Sequence, residues 1–499
     1  MSWWQNIPFF SILLFLFLPA VTSVLRARRA RALCLSALTL SLCLSVFLLG
    51  RMCVPGTSAF TFRMGHFPAP WGNEIRCGRL EAFLSVVFQS IMFLSLLGGS
   101  RRLDQHIGPG RENLFYALCQ LMMAALLAQI YSNDLFTCYV FLEIMTLSAC
   151  ALIISRSRGR TLISAMRYMV LNLVGSGLFL FGVVLLYDMT GHLLMEPLGA
   201  SVRGLYASGA YHRPLVICVA LVSVGLAVKS ALFPFHTWAP DAYSNGTPAS
   251  NAILSSLVSK GYILLLLKIY SRVFGWDLVR ACEIDRILMV FALGGMILGS
   301  LRALQASRLN RMISWSSVAQ IGYIFLGLSL GTRAGSQAAV WHLMVHAASK
   351  ALLFLSCDDL RIVSGHSSAF PALRGAARRA PLAGTVWTMA AFSMVGLPFT
   401  GGLVSKLLLG QEALRHSLPV ACAVLSVLTL STLLNVLYFL RAVILIWSPS
   451  AAGREPPVKS AGSPAFRFAV VFLALLQPLF FLFSTPLLQI ISAGLSQFS

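Results

Sequence analysis

The chain alternates long apolar runs with short polar connections, and this alternation predicts membrane-spanning helices. A helix that crosses the hydrocarbon core of a bilayer needs about 20 mostly apolar residues. Because no water is available there to bind backbone groups, each crossing is expected to be helical. Fourteen such runs are found, at residues 7–25, 32–50, 80–100, 113–131, 134–155, 162–187, 214–235, 248–270, 286–304, 311–330, 338–356, 382–410, 418–447 and 466–493.

These runs predict an all-α integral membrane protein with about 14 transmembrane helices. The composition agrees, because 58% of the 499 residues are hydrophobic and only 11% are charged, whereas soluble proteins carry roughly 25% charged residues. A water-soluble enzyme is therefore excluded. The longest connections, at 51–79, 188–213 and 448–465, are too short to hold a catalytic domain. We expect the chain to act within the membrane.

The charge is strongly positive, with 38 Lys and Arg against 16 Asp and Glu. On a soluble domain this excess would indicate nucleic acid, but here nearly all the arginines stand in connections, where they set topology and contact anionic lipid. We therefore expect lipid and no nucleic acid as a partner. Connections after odd-numbered spans hold 19 basic residues against 11 on the other side. The positive-inside rule then predicts a multi-pass protein of the cell inner (cytoplasmic) membrane with both termini outside.

The N-terminal run at 7–25 is predicted to be a retained span. It has no Lys or Arg before it and four Arg directly after it, which is the reverse of a signal peptide.

The 11 cysteines form no C-x-x-C pair and no Cys/His spacing typical of zinc or iron–sulfur ligation. No metal, cofactor or catalytic residue, and no redox or hydrolytic site, is expected in this chain. Iron–sulfur clusters or other redox centres would belong to partner subunits, so a place in a translocating oxidoreductase stays open.

Lysines inside the spans are the main candidates for chemistry. Only six of the basic residues are Lys, and five of these fall within predicted spans. A charge at the centre of a membrane helix costs about 2.5–3.5 kcal/mol on insertion scales. Lys, unlike Arg, can release its proton when it is desolvated. Lys229, Lys260, Lys350 and Lys406 are therefore candidate proton carriers. The alternative is that a lysine snorkels to the membrane surface, which we favour for Lys268, near the end of its span.

One acid, Glu143, lies deep within a predicted span. A carboxylate there is either protonated or paired with a cation, and the interior lysines are candidate partners. We favour a functional Glu–Lys couple that modulates proton release from a lysine, over a purely structural buried pair.

Two histidines and a lysine form a stripe, because His342, His346 and Lys350 are spaced four residues apart. This spacing places them along one helix face, about 6 Å from one to the next. Histidine titrates near neutral pH, so the stripe is typical of proton carriers linked by water. A zinc site would need a further ligand and usually a Glu, which the segment lacks. Histidines that are merely satisfied by neighbouring backbone are the other alternative.

Two of the lysines stand beside helix breakers. Lys229 begins the sequence KSALFPFHTWAPD, and Lys406 follows GLPFTGG at 396–402. A broken membrane helix frees backbone groups that only protein or water in a cavity can satisfy. An ionisable residue beside a break in two separate spans predicts two hydrated half-channels.

These segments resemble the antiporter-like subunits shared by respiratory complex I, Mrp-type sodium/proton antiporters and membrane-bound hydrogenases. The similar stretches include KSALFPFHTWAPDAYSNGTPASNA, SSLVSKGYILLLLK, RLNRMISWSSVAQIGYIFLG, HLMVHAASKALLFL and GGLVSKLLLGQEAL, together with the aromatic-rich run before Glu143. The matches run from about residue 110 to 445.

The resemblance implies two inverted five-helix repeats, each with one broken helix. They would occupy 112–272 (helices 4–8) and 284–447 (helices 9–13), after N-terminal helices 1–3 at 1–111 and before a C-terminal helix 14 at 465–499. It also implies that Glu143 pairs with Lys229, that Lys260 and the His/Lys stripe carry protons, and that Lys406 is the exit-side residue. Some branches have Glu at that last position, so Lys406 favours the Mrp D-type branch or the complex I subunit that shares it.

Three functional hypotheses follow. The preferred one is a proton-translocating subunit of a Mrp-type cation/proton antiporter or of a related ferredoxin- or hydrogenase-linked pump. It would assemble with further antiporter-like and small hydrophobic subunits and, in a redox-driven machine, with a peripheral redox arm. The second hypothesis is a proton-pumping subunit in the membrane arm of a complex I-type NADH:quinone oxidoreductase. The third is a structural scaffold with idle channel residues.

Overall fold

A bundle of long apolar helices makes up most of the chain. The computed structural model describes residues 3–63, 67, 73–100, 103–108, 110–156, 159–209, 211–449 and 462–498. Within these residues, 13 helices are long and apolar enough to cross a membrane. A further crossing, predicted at 382–410, consists of two shorter helices on either side of a break. The predicted all-α membrane fold with about 14 crossings is confirmed.

The long helices follow the predicted spans to within a few residues at most ends, and short helices lie in some of the connections. They are α1 (Ile7–Val24), α2 (Ala27–Cys53), α3 (Arg79–Gly99), α4 (Glu112–Tyr131), α5 (Leu135–Ile154), α6 (Gly159–Thr190), α7 (Met195–Ser208), α8 (His212–Lys229), α9 (Ala239–Asn245), α10 (Pro248–Ile253), α11 (Ser259–Ile269), α12 (Trp276–Ala281), α13 (Ile284–Gln305), α14 (Leu309–Ser329), α15 (Arg333–Ile362), α16 (Ala376–Arg379), α17 (Pro381–Val395), α18 (Gly401–Ala413), α19 (Leu418–Trp447), α20 (Pro464–Leu482) and α21 (Ser484–Ser496).

Shorter elements link these helices. Two π-helical turns, Leu254–Val258 and Tyr270–Phe274, make α10 and α11 parts of one continuous crossing. Single 3₁₀ turns occur at Trp3–Asn6, Leu103–Gln105, Phe235–Trp238 and Phe370–Leu373.

Several connections contain structure that the apolar pattern does not predict, above all those at 51–79 and 188–213. An antiparallel hairpin pairs β1 (Phe60–Arg63) with β2 (Glu74–Cys77) between α2 and α3. The helix α7 lies in the connection after α6 and packs against the π turn that ends the α11 crossing. This approach is close, since a Cβ on Gly199 would lie 2.2 Å from the carbonyl oxygen of Arg272. The connection 448–465, with Arg454 and Lys459, falls mostly outside the described residues.

The helices divide into a buried centre and a lipid-facing rim. The central windows of α15 and of the 248–274 crossing are completely buried, and that of α14 is nearly so. On the rim, α1, α6, α13 and α19 expose large apolar side chains, such as Phe17, Met166, Val290 and Leu433. Apolar side chains on an outer surface of this extent are suited to lipid rather than water. The candidate proton carriers on α11 and α15 therefore lie at the centre of the bundle.

Two crossings are broken near their middle, as predicted. α8 stops at Lys229, followed by Ala231 with a positive φ of 62° and then by Pro234. α17 stops at Val395, because Gly396 adopts a left-handed conformation with φ of 86°, a common way to end a helix. Each break is in the fourth crossing of the segments 112–272 and 284–447, respectively.

Candidate functional site

An acid and a lysine meet at the first break. Glu143 on α5 places Oε1 3.5 Å from Nζ of Lys229 at the end of α8. The Lys229 side chain is fully buried, whereas the Glu143 side chain is 24% exposed. The Glu143 side chain is thus the part of the pair that can be reached from outside the chain, and its carboxylate supplies the countercharge that a buried ammonium requires.

Uncharged groups complete the surroundings of Lys229. Its Nζ donates to Thr146 Oγ1 at 2.7 Å and lies 5.3 Å from the ring centre of Tyr262. The Tyr262 hydroxyl is 3.1 Å from the same Thr146 oxygen. Tyr262 belongs to α11, two residues beyond Lys260, so these contacts connect the first break to the central helix.

Two further tyrosines lie beside this connection. Tyr168 and Tyr243 both pack edge-on against Trp238 of the first break, with ring centres 5.0 and 5.6 Å away. Their buried hydroxyls lie beside polar side chains of α11, that of Tyr168 beside Tyr262 and that of Tyr243 beside Ser259. The two tyrosines therefore lie between the surroundings of Lys229 and those of Lys260.

Lys260 occupies the centre of the bundle with no exposed surface. Its Nζ donates to the carbonyl oxygen of Ser255, in the π turn, and to Ser259 Oγ at 3.4 Å. Ser255 in turn contacts Ser317 on α14 through their hydroxyls, 3.0 Å apart. π turns often mark functional positions in helices, and this one supplies a backbone acceptor to the lysine.

The predicted stripe on α15 is fully buried. The rings of His342 and His346 are nearly parallel, with centres 6.2 Å apart. Lys350 donates to the Ile313 carbonyl at 2.8 Å and to the hydroxyl of Ser316, both on α14. Neither ring nitrogen of His346 has a hydrogen-bond partner among the described residues. The histidines are not satisfied by backbone, so that alternative is wrong for both rings.

The hydrogen bonds around His342 permit two protonation states. Ser405 donates its single proton to the Gly402 carbonyl and can therefore accept from Nδ1–H of His342, both at 2.9 Å. Nε2 of His342 lies 2.9 Å from Oε1 of Gln320 and donates to it when the ring is doubly protonated. When the ring is neutral, Nε2 has no proton, and the Gln320 amide can rotate so that its nitrogen, which has no other partner among the described residues, donates to Nε2 instead. His342 can take up or release a proton at Nε2 without a helix movement.

Lys406 lies at the second break. Its Nζ donates to the carbonyl oxygen of Val395, the last residue of α17, at 2.5 Å, and lies 5.4 Å from the ring centre of Tyr323. The start of α18 packs tightly on the end of α17, since a Cβ on Gly402 would lie 1.8 Å from the Ser393 carbonyl oxygen. This glycine lets the helix halves approach closely enough for the lysine to reach back across the break.

Electrostatic proximity links the central groups. Lys260 lies close enough to interact through its charge with His342, His346 and Lys350, and His342 also interacts with Lys406. The structure thus brings all seven predicted residues into one strip that joins the two breaks. We name this set the polar strip: Glu143, Lys229, Lys260, His342, His346, Lys350 and Lys406.

Lys268 does not snorkel to the membrane surface, so that interpretation is wrong. The side chain is fully buried and donates to the carbonyl oxygens of Gln129, Ile130 and Ser132, at 3.0, 3.0 and 2.6 Å. These carbonyls stand at the end of α4, where the last turn of a helix leaves acceptors unpaired. Lys268 does lie near the end of its span, but its side chain points into the bundle, toward the end of α4, and not out to the membrane surface.

A second buried ion pair was not predicted. Arg272 contacts Glu81, and both side chains are nearly inaccessible to solvent. Asn133 accepts from Arg272 at 3.4 Å and donates to Glu74 Oε1 at 2.8 Å. Neither acid gave a signal in the sequence, because Glu81 lies at the start of its predicted span and Glu74 lies in the connection before it. This cluster fastens β2 and α3 to the end of the α11 crossing.

No group of three or more His, Cys, Asp or Glu side chains that could hold a metal ion is found in the part of the chain that the structure describes.

Comparison with known proteins decides the family. The family described as NADH:quinone oxidoreductase/Mrp antiporter, transmembrane, matches residues 132–433, which is more than half of the chain. The chain belongs to this family. The resemblance seen in the sequence is thereby confirmed, and residues 132–433 include every member of the polar strip.

Relatives within the NADH:quinone oxidoreductase/Mrp antiporter family include subunits from two kinds of complex. The chain is 34% identical to NADH-quinone oxidoreductase subunit N from Desulforudis audaxviator, over 76% of this chain and 73% of the relative. It is 25% identical to the D-type subunit of the Na(+)/H(+) antiporter from Bacillus subtilis, over 83% of this chain and 81% of the relative.

Solved structures of multisubunit complexes share the fold. A chain of the membrane-bound sulfane sulfur reductase, an archaeal respiratory membrane complex, matches with a TM-score of 0.85 at 25% identity, covering 99% of this chain and 96% of that one. A chain of the Mrp complex from Dietzia sp. gives 0.85 at 22% identity, covering 100% and 98%. A chain of respiratory complex I from Thermus thermophilus gives 0.72 at 24% identity, covering 98% and 100%.

Proposed function

We propose that this chain is a proton-translocating, antiporter-like subunit of a multisubunit membrane complex. The observation that carries the proposal is the polar strip, in which ionisable side chains are buried one after another between two broken helices. Buried charges are costly and persist in membrane proteins chiefly where they move ions or protons. Membership of the NADH:quinone oxidoreductase/Mrp antiporter family supports the same function.

In the proposed mechanism, Glu143 controls the first lysine. The ionised carboxylate holds Lys229 in its charged form across 3.5 Å. When the partly exposed carboxylate takes up a proton or turns away, the buried ammonium loses its countercharge and releases its own proton. Thr146, Tyr262 and the two neighbouring tyrosines then pass the proton toward Lys260.

The remaining strip carries the proton to the second break. Lys260 passes it to the stripe of His346, Lys350 and His342, whose members it faces. His342 exchanges its Nε2 proton as the Gln320 amide rotates, and Lys406 delivers the proton at the end of α17. Because every member is a reversible proton carrier, the direction of net transport is set by the gradient and by the partner subunits.

Replacing Lys229 or Glu143 by Ala tests the mechanism. Proton transport by the intact complex in inside-out membrane vesicles is expected to fall about 100-fold or to background in both variants, while assembly is unchanged. The matched control is Lys459→Ala, in a connection, which should transport at the wild-type rate. Full transport by both strip variants would exclude the mechanism and favour a structural scaffold.

Our first candidate for the host is a Mrp-type cation/proton antiporter or a ferredoxin- or hydrogenase-linked pump. Its support is the fold, because chains of a Mrp complex and of the sulfane sulfur reductase each match with a TM-score of 0.85, against 0.72 for the complex I chain. Lys406 at the second break fits both the Mrp D-type branch and the complex I subunit that shares it, so it does not distinguish the hosts.

The second candidate is the membrane arm of a complex I-type NADH:quinone oxidoreductase. Its support is the 34% identity with subunit N from Desulforudis audaxviator. Redox centres would then lie in partner subunits.

Gentle purification of the tagged chain from its native membranes distinguishes these hosts. Co-purifying chains are identified by mass spectrometry, and iron and nickel are measured in the same sample. Small hydrophobic companions without metal would identify a stand-alone antiporter. Iron–sulfur proteins with nickel would identify a hydrogenase-linked pump, and quinone-reducing activity with iron alone would identify complex I.

We further propose that the chain lies in the cytoplasmic membrane with both termini outside and that residues 112–272 and 284–447 are the inverted repeats. The excess of arginine in alternate connections supports the orientation. A C-terminal alkaline phosphatase fusion should be active and a C-terminal fluorescent protein dark. The opposite result would reverse the topology.

A further inference from the structure

A pocket rich in arginine opens at the end of the bundle that follows the first break. Its volume is about 350 Å³, and four arginines and one acid are among the residues that line it. They are Arg160, Arg167, Arg308, Arg311 and Asp241. The polar strip does not use any of them, so the pocket needs a separate explanation.

Among the described lining residues, one acid faces four arginines and does not balance their charge. Asp241 on α9 accepts from Arg167 at 3.0 Å with one carboxylate oxygen and from Arg311 at 2.9 Å with the other. Each guanidinium carries five N–H donors, so both arginines keep further donors for a ligand. Arg160 and Arg308 stand on the same rim. The net charge of the lining is therefore strongly positive, with Asp241 serving to hold two guanidinium groups in place.

Helix geometry adds to this charge. The lining residues Arg160 and Ser164 belong to the first turns of α6, while Asn310 and Arg311 belong to the first turn of α14. The beginning of a helix presents unpaired backbone N–H groups and the positive end of the helix dipole. Two long helices thus begin at one pocket, where arginines are also concentrated. This combination is typical of sites that bind phosphate groups.

The surroundings indicate where the phosphate group comes from. Ile163 lines the pocket, and Met166 and Val170 continue from it along one face of α6. These three side chains are 55%, 60% and 61% exposed, on the rim that faces lipid. An acyl chain can lie along this face while its headgroup occupies the pocket. Three of the four arginines, Arg160, Arg308 and Arg311, also belong to connections that the positive-inside rule places in the cytoplasm, where anionic lipids attract basic groups.

We propose that this pocket binds the phosphate group of an anionic membrane phospholipid. The phosphate contacts the four arginines and the beginnings of α6 and α14, and an acyl chain lies against Ile163, Met166 and Val170. A free phosphate ion shares the headgroup chemistry but would not use the apolar face of α6.

Lipid binding tests the proposal. The purified complex is placed in nanodiscs of phosphatidylcholine with a minor fraction of phosphatidylglycerol, and the lipids retained by this chain are measured by native mass spectrometry. The variant is Arg160→Gln with Arg308→Gln, which leaves the Asp241 pairs intact. Its affinity for phosphatidylglycerol is expected to fall about 30-fold. The matched control is Arg203→Gln with Arg213→Gln. Arg203 lies on α7 and Arg213 at the start of α8, both exposed and away from the pocket, so this variant should bind phosphatidylglycerol as the wild type does.

Three outcomes would overturn the proposal. Wild-type protein that retains phosphatidylglycerol no better than phosphatidylcholine would exclude the site. An equal loss in the control variant would show a general effect of surface charge. Inorganic phosphate that competes fully with phosphatidylglycerol, and that binds equally in nanodiscs of phosphatidylcholine alone, would assign the pocket to a free anion. If the double variant does not assemble, each single substitution is measured, with an expected loss of about fivefold.

Discussion

The two helix breaks hold their lysines in different ways. At the first break, Lys229 faces the Glu143 carboxylate across 3.5 Å. At the second, Lys406 donates to the Val395 carbonyl at 2.5 Å and has no ion pair within the described residues. A carboxylate loses its charge when it takes up a proton, whereas a backbone carbonyl does not change. The first lysine therefore has a switchable partner, and the second has a fixed one.

A relay requires that both lysines release protons, and substitution by arginine tests this requirement with the largest expected effect. Arginine keeps the positive charge and can still donate to Glu143 or to Val395, but it does not give up its proton in proteins. Lys229→Arg and Lys406→Arg should each lower proton transport about 100-fold, measured in vesicles from assembled complex.

Equal assembly of both variants is the control, checked by the yield of the purified complex. If one of the arginine variants transports normally, the lysine at that break provides a fixed charge and the comparison of the two breaks fails there. Lys459→Arg, in a connection, should transport protons at the wild-type rate, and its deviation from that rate measures the error of the assay.

Lys268, a buried lysine outside the polar strip, should behave in the opposite way. Lys268 satisfies three carbonyls at the end of α4, and Lys268→Met would leave them without a donor. Hydrogen bonds from charged groups contribute about 1.5–3 kcal/mol each to stability, and single substitutions rarely cost more than 4–5 kcal/mol. We expect the free energy of unfolding in detergent to fall by about 2–4 kcal/mol, with transport per folded molecule unchanged.

Leu264→Met, on the same helix α11, is the matched control, because this swap conserves volume and usually costs less than about 1.5 kcal/mol. Lost transport in folded Lys268→Met protein would place Lys268 in the relay and would mean that the polar strip extends beyond its seven residues.

The sequence predicted the crossings well but not the elements between them. Runs of about 20 apolar residues have few explanations other than a membrane helix, so the spans agree with the structure. The hairpin of β1 and β2 has four residues in each strand, too few for an alternation to be recognised. The π turn that provides the Ser255 carbonyl to Lys260 leaves no pattern in the sequence.

The ionisable residues of the site could be predicted from the sequence, whereas the uncharged polar residues beside them could not. The seven residues of the polar strip were selected because ionisable groups in a membrane span are costly, and the structure brings them together. Thr146, Gln320 and Ser405 contact them but were not predicted, since single hydroxyls and amides are common in membrane helices. Thr146 had the one available signal, because it follows Glu143 by three residues and must share its helix face.

Glu143→Gln isolates the switchable charge at the first break. The amide keeps the shape of the side chain, and Lys229 keeps its bond to Thr146, so the variant should assemble. Without the countercharge the lysine is no longer held in its charged form, and we expect transport to fall about tenfold, less than in Lys229→Arg. No such substitution exists at the second break, because Lys406 donates to a backbone carbonyl. An unchanged transport rate in Glu143→Gln would show that the carboxylate charge is not needed and that the two breaks work in the same way.

The smallest effect is expected from Thr146→Val, which removes the hydroxyl between Lys229 and Tyr262 while it conserves the shape of the side chain. A buried hydrogen bond is worth about 0.5–1.5 kcal/mol, and more when one partner is charged, so transport should fall about threefold to tenfold. The assay is proton uptake by vesicles, with Thr388→Val as the control, because Thr388 on α17 accepts from Trp447 at 3.1 Å and does not contact the polar strip. If both variants are equally affected, Thr146 contributes only to packing, and the proton reaches Lys260 by water alone. A loss confined to Thr146→Val would show that the first break uses side chains to pass the proton inward, in contrast to the backbone carbonyl that holds Lys406.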